Sequence, residues 1–210
     1  MIKKPFILTL FGFPGAGKTS FARQFCEEFG LVHLQEDKLS QEFFGSSSDE
    51  KLQQKAMHYL AGELLRCGLP IVYDSSKSTK TRARKALKQL AAHNKAISIV
   101  VWFQIDPDTA YARLQHRDRR KIDDKYAKAY TDETFQNILS GQQNPKPDEN
   151  YAVISGKHTY RSQRNAVLKR LFDLNLVEAS QVSNSNVVKP GLVNLIPNRG
   201  DIKRRNISIR

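Results

Sequence analysis

Two hydrophobic rhythms alternate along this chain. Short apolar runs stand at Phe6-Ile7-Leu8-Thr9-Leu10-Phe11, Leu31-Val32-His33-Leu34, Ile71-Val72-Tyr73-Asp74, Ala96 to Ile105 and Tyr151-Ala152-Val153-Ile154. Runs of this length, rich in β-branched and aromatic residues, read as five buried strands. Between them the apolar residues recur at helical spacing: Phe21 and Phe25; Leu52, Ala56, Tyr59, Leu60 and Leu64; Ala83, Ala86, Leu87 and Leu90 within residues 79–93; Ala110, Tyr111 and Leu114; and Val167, Leu168, Leu171 and Phe172 within residues 160–174. A further short helix is expected from Thr131 to Leu139, and residues 39–48 are mixed.

The boundaries carry their own chemistry. Ser48 or Asp49 can cap the helix that follows, and Gly68 with Pro70 ends it. Asp106 caps another helix, with Pro107 at its first position. Strands alternating with helices predict a parallel sheet covered on both faces, a three-layer α/β domain that binds ligands at the carboxyl ends of its strands. Residues 1–175 are expected to form that domain. Past Val177 the character changes to a polar linker, Ser180 to Asn186, and a basic extension over residues 176–210. Its two β-like pieces, Leu192–Ile196 and Asn206–Ile209, read as a hairpin, as strands docked on the sheet edge, or as parts of a disordered tail.

Charge sharpens this division. The 210 residues hold 34 Lys and Arg against 21 Asp and Glu, a net +13. Residues 1–156 hold 23 against 18, and residues 157–210 hold 11 against 3. A basic tail on a modestly basic domain points to an anionic partner, nucleic acid among them. No apolar run reaches the roughly 18 residues of a membrane span. The basic start runs directly into the glycine loop described next, so a cytoplasmic protein without a cleaved leader is expected. Cys26 and Cys67 both fall in expected helices and read as reduced, packed thiols. The five histidines lack metal-ligand spacing.

The chemistry begins at Gly12-Phe13-Pro14-Gly15-Ala16-Gly17-Lys18-Thr19, which fits the phosphate-binding pattern G-x-x-x-x-G-K-[ST] between a strand and a helix. Glycines let the backbone N–H groups turn inward, and the following helix aims its positive end at the bound phosphates. ATP or GTP is the expected ligand. Gly12, Pro14, Gly15, Ala16, Gly17, Lys18, Thr19 and Ser20 form the cradle, Lys18 reaching the β- and γ-phosphates and Thr19 ligating Mg²⁺.

Together with Asp37 after the second strand, Tyr73-Asp74-Ser75-Ser76 with Arg82 after the third, and the arginine-rich residues 117–120 after the fourth, this loop resembles the P-loop kinase family that includes polynucleotide 5′-hydroxyl kinases and zeta-toxin-like kinases. The resemblance covers roughly residues 5–155. It implies a five-stranded P-loop NTPase fold, ATP and Mg²⁺ as cofactors, and phosphoryl transfer to a hydroxyl acceptor. Asp37 is then the candidate general base, with Glu36 as the neighbour able to replace it. Asp74 holds Mg²⁺ opposite Thr19. Arg117, Arg119 and Arg120 resemble a lid, with Arg117 and Arg120 the catalytic candidates, and Arg113 is placed to stack on adenine. Lys38, Arg82 and Arg84 are acceptor-side candidates. Family members commonly carry arginine three residues beyond the aspartate, where this chain has Ser40, and Ser76 stands where many have asparagine. The missing arginine removes a grip on an acceptor phosphate. The acceptor is left open between a nucleic-acid 5′-hydroxyl and a small metabolite. A nucleic-acid-associated ATPase or regulatory module is the second functional class the sequence supports.

Overall fold

A computed structural model describes residues 2–45, 49–118, 120–122 and 124–178. The five strands are β1 (Phe6–Phe11), β2 (Val32–Gln35), β3 (Ile71–Asp74), β4 (Ile97–Gln104) and β5 (Tyr151–Ser155). They form one sheet in the order β2-β3-β1-β4-β5, every neighbouring pair parallel. The helices are α1 (Lys18–Phe29), α2 (Glu36–Leu39), α3 (Glu50–Arg66), α4 (Thr81–His93), α5 (Pro107–Gln115), α6 (Asp132–Gly141) and α7 (Tyr160–Asp173). A π-helical turn over Ser40–Phe44 extends α2, and a 3-10 turn over Ser76–Thr79 follows β3. The fold is the three-layer α/β arrangement expected from the alternation.

Side chains alternate along β1, and that alternation divides the core. Phe6, Leu8 and Leu10 point to one face with Phe21 and Phe25 of α1 and Val167, Leu168 and Leu171 of α7. Ile7 points to the other, with Met57, Ala61 and Leu65 of α3 and Leu87 and Ala91 of α4. Asp49, Asp106 and Thr131 cap α3, α5 and α6 through side-chain oxygens. Lys3 N donates to Leu176 O at 2.9 Å, and Ile2 bridges Val177, so both ends of the described chain are tied together.

Four expectations need correction. The buried face of α3 is Gln53, Met57, Ala61 and Leu65, one residue on from the bulkier stripe, while Leu52, Tyr59 and Leu60 are exposed. Slim contacts decide this: Gly62 lets Leu90 come so close that an added Cβ would stand 3.3 Å from its Cδ1. In α4, Arg84 is 2% exposed, held inside as described below, so it is not an acceptor-side residue. Phe172 lies half outside, because Gln163, Val167 and Leu171 take the inner face of α7. Cys26 is buried but Cys67, at the end of α3, is exposed. The linker and basic extension from residue 179 onward lie outside the described residues.

Candidate active site

The carboxyl ends of β1, β2 and β3 open into a cleft of about 290 Å³. Its floor is the loop between β1 and α1. Gly15 has φ +85°, and a Cβ there would sit 2.2 Å from the carbonyl oxygen of Ala110 in α5. The loop therefore passes α5 so tightly that only hydrogen fits. Gly15→Ala is expected to abolish nucleotide binding and lower stability by about 1–3 kcal/mol, the range for overpacking and backbone strain. Calorimetry with an ATP analogue checks the first, and a urea titration the second.

Helix α1 starts at Lys18 with no side-chain cap and no acid in its first turn. Its first amides have no partner within the helix, which makes this end an anion site. Lys18 Nζ donates to Gly12 O at 2.9 Å and Phe13 O at 2.8 Å, folded across its own loop. Burial lowers its ammonium to about 8, against the opposing pull of Asp74. Pro14, Gly12, Gly17 and Ser20 line the same floor, and Ala16 is fully buried beneath it.

Thr19 and Asp74 meet directly. Thr19 Oγ1 donates to Asp74 Oδ2 at 2.7 Å, and His33 Nε2 stands 3.4 Å from that oxygen. Burial works to raise the Asp74 carboxyl, but His33, Lys18 and the Thr19 hydroxyl outweigh it and hold it below the usual range. A hydroxyl and an ionised carboxylate at this distance are the hard oxygen donors that suit Mg²⁺.

Asp37, the second residue of α2 and two past the end of β2, also lines the cleft. Lys128 Nζ lies 3.3 Å from Asp37 Oδ1, a buried oxygen. Burial raises the Asp37 carboxyl above its ordinary value, with Lys128 pulling the other way. Glu36 is anchored: Ser75 Oγ donates to its Oε2 at 2.6 Å and Lys77 Nζ lies 3.3 Å from its Oε1. It is a fixed wall of the cleft, tied through both oxygens, whereas Asp37 is paired through Oδ1.

The lid arginines separate. Arg117 lines the cleft, donates to Lys128 O at 3.1 Å and pairs with Asp124 at 3.6 Å. Arg120 instead pairs with Asp118 at 2.9 Å, its side chain 91% exposed, and is not brought into the cleft. Arg119 lies outside the described residues. Arg113 lines the cleft and donates to Gly156 O at 2.8 Å, joining α5 to the loop after β5. Arg82 is exposed and Lys38 stands 5.9 Å over the Tyr126 ring; neither lines the cleft. Lys128 and Tyr130 were not legible in the sequence. They sit in an aperiodic stretch between α5 and α6, where neither spacing nor motif distinguishes them.

The fold and the loop at its centre are those of the three-layer P-loop NTPases. The AAA domain family model matches residues 7–145, and the chain belongs to that family. Among solved structures it is similar to a gluconokinase from Sinorhizobium meliloti 1021, at 17% identity and TM-score 0.59 over 87% of this chain and 98% of that one. It is similar to Chaetomium thermophilum Kti12 in complex with ADP-AlF3, at 18% identity and TM-score 0.65 over 82% and 100%. A third is the Mycobacterium tuberculosis APS kinase CysC in complex with AMPPNP and APS, at 18% identity and TM-score 0.57 over 80% and 98%. At these identities the likeness is one of fold. No curated protein matches.

Proposed function

We propose that this chain is an ATP-dependent phosphotransferase that moves the γ-phosphoryl group to a hydroxyl acceptor. One observation carries the reading: Lys18, the Thr19–Asp74 pair and Asp37 all face a single cleft at the carboxyl ends of the strands. The α1 amides and Lys18 bind the phosphates of ATP. Thr19 and Asp74 would hold Mg²⁺, which when bound supplies positive charge beside the transferring group. Asp37 accepts the proton of the acceptor hydroxyl as its oxygen bonds to the γ-phosphorus. The bond from that phosphorus to the β–γ bridging oxygen breaks, and ADP leaves. Arg117, across the cleft, meets the charge that develops on the transferring oxygens.

The test is transfer of labelled γ-phosphate from Mg-ATP to a panel of oligonucleotides, nucleosides, sugars and amino-sugar nucleotides. Labelled product is expected from at least one class, and Lys18→Ala is expected to remove it while weakening ATP binding. Phosphate release that nucleic acid stimulates, with no labelled acceptor, would replace this reading by an ATPase. Full activity in Lys18→Ala would place the chemistry elsewhere.

A further inference from the structure

Lys128 belongs to the loop between α5 and α6, yet it meets α2 on the far side of the cleft. Its ammonium lies 3.3 Å from Asp37 Oδ1. Neighbouring contacts fix it there. Gln41 Nε2 donates to Tyr126 O at 3.0 Å, the Tyr126 hydroxyl bonds to Glu42, and Lys38 stands over the Tyr126 ring at 5.9 Å. From the other end of the loop, Arg117 donates to the Lys128 carbonyl at 3.1 Å. The backbone on which Lys128 sits is thus fastened both to the segment that carries Asp37 and to the arginine that faces the phosphates.

We propose that Lys128 is a positioning residue for Asp37, holding the carboxylate by Oδ1 in one orientation and in its ionised form. This rests on the reading of Asp37 as the base. The groups that act on Asp37 are Lys128 and Tyr130 from the loop, Glu36 from α2, Asp74 from β3 and Lys18 from α1. Glu36 and Asp74 oppose a third negative charge beside them, and burial opposes it further. Lys128 makes the direct opposing contact.

The experiment uses the full chain in two stages. In protein without nucleotide, ¹³C NMR follows the titration of the Asp37 carboxyl. Lys128→Met is expected to raise its midpoint by about 1–3 pH units, the effect of losing an opposite charge at this range, and Lys128→Arg to restore most of it. Release of phosphate from Mg-ATP, with water taking the acceptor's place, is then followed against pH. Lys128→Met should lower kcat and move the acid limb of the profile up by a similar amount, with KM for ATP unchanged. Should the methionine variant fail to fold, Lys128→Gln carries the same measurements. A midpoint and a limb that both stay put overturn the proposal, as does an arginine variant as impaired as the methionine one. Asp37→Asn separates this from the parent reading. If that variant is inactive while Lys128→Met is unchanged, only the positioning role fails; if it is fully active, the base assignment itself fails.

Discussion

Asp37→Asn is expected to lower phosphoryl transfer by about 10²–10⁴-fold, the worth of a positioned general base, and to leave ATP affinity unchanged. Asparagine matches aspartate in size and keeps an oxygen toward Lys128, but it cannot take a proton. Nucleotide affinity is spared because the phosphates are held from the other side of the cleft, by the α1 amides and Lys18. Single-turnover transfer measures the loss, and calorimetry with an ATP analogue measures the affinity. Unchanged turnover would remove Asp37 from the chemistry. In the unsubstituted protein burial holds the Asp37 carboxyl above its ordinary value. The base works only when ionised, so transfer should decline on acidification at a pH above that of an exposed aspartate. In Asp37→Asn that acid limb should vanish.

The second large effect concerns stability. Arg84 Nε donates to Glu149 Oε2 at 2.7 Å and Nη2 to Oε1 at 3.0 Å, while Nη1 donates to Ser78 O at 3.0 Å. The guanidinium lies 4.9 Å from the centre of the Phe11 ring. One side chain thereby joins α4, the turn after β3, the loop before β5 and the end of β1. Removing one partner of a buried pair leaves the other charged and unpaired, which costs about 3–5 kcal/mol. Arg84→Ala should lose that much in urea unfolding at neutral pH, and Glu149→Gln less, since glutamine still accepts a hydrogen bond. A loss under about 1 kcal/mol for Arg84→Ala would show the pair to be dispensable. The acid dependence has a definite sign. Arg84 and the Lys146 amide outweigh burial and hold Glu149 below its usual 4.5. Its contribution is complete above that unfolded value and is lost as pH falls through the lower folded one.

The sequence made the strands legible because each is a continuous apolar run, and the phosphate loop legible because its spacing answers to one ligand geometry. Thr19 and Asp74 followed from the same logic, one in the loop and one at a strand end, and they meet at 2.7 Å. Helix faces were harder. Helix α3 carries two stripes, and the bulkier one, with Leu52, Tyr59 and Leu60, faces out. Periodicity gives the spacing of a stripe, but which stripe packs depends on how close the neighbouring helix comes. Arg84 misled for a different reason: its burial depends on Glu149, 65 residues away, and no local pattern announces such a partner. Lys128 escaped notice for the same reason, its link to Asp37 being made only in three dimensions. Arg117 and Arg120 looked equivalent as a cluster. Asp118, which lies between the two in sequence, draws Arg120 outward and leaves Arg117 to the cleft.

The union of Lys3 with Leu176, and of Ile2 with Val177, lies at the amino ends of the strands, while the cleft opens at their carboxyl ends. A six-residue strand such as β1 spans about 20 Å, so the two poles are separated by the full height of the sheet. A fluorophore or surface tether joined at the exposed Lys3 therefore departs from the pole remote from the cleft.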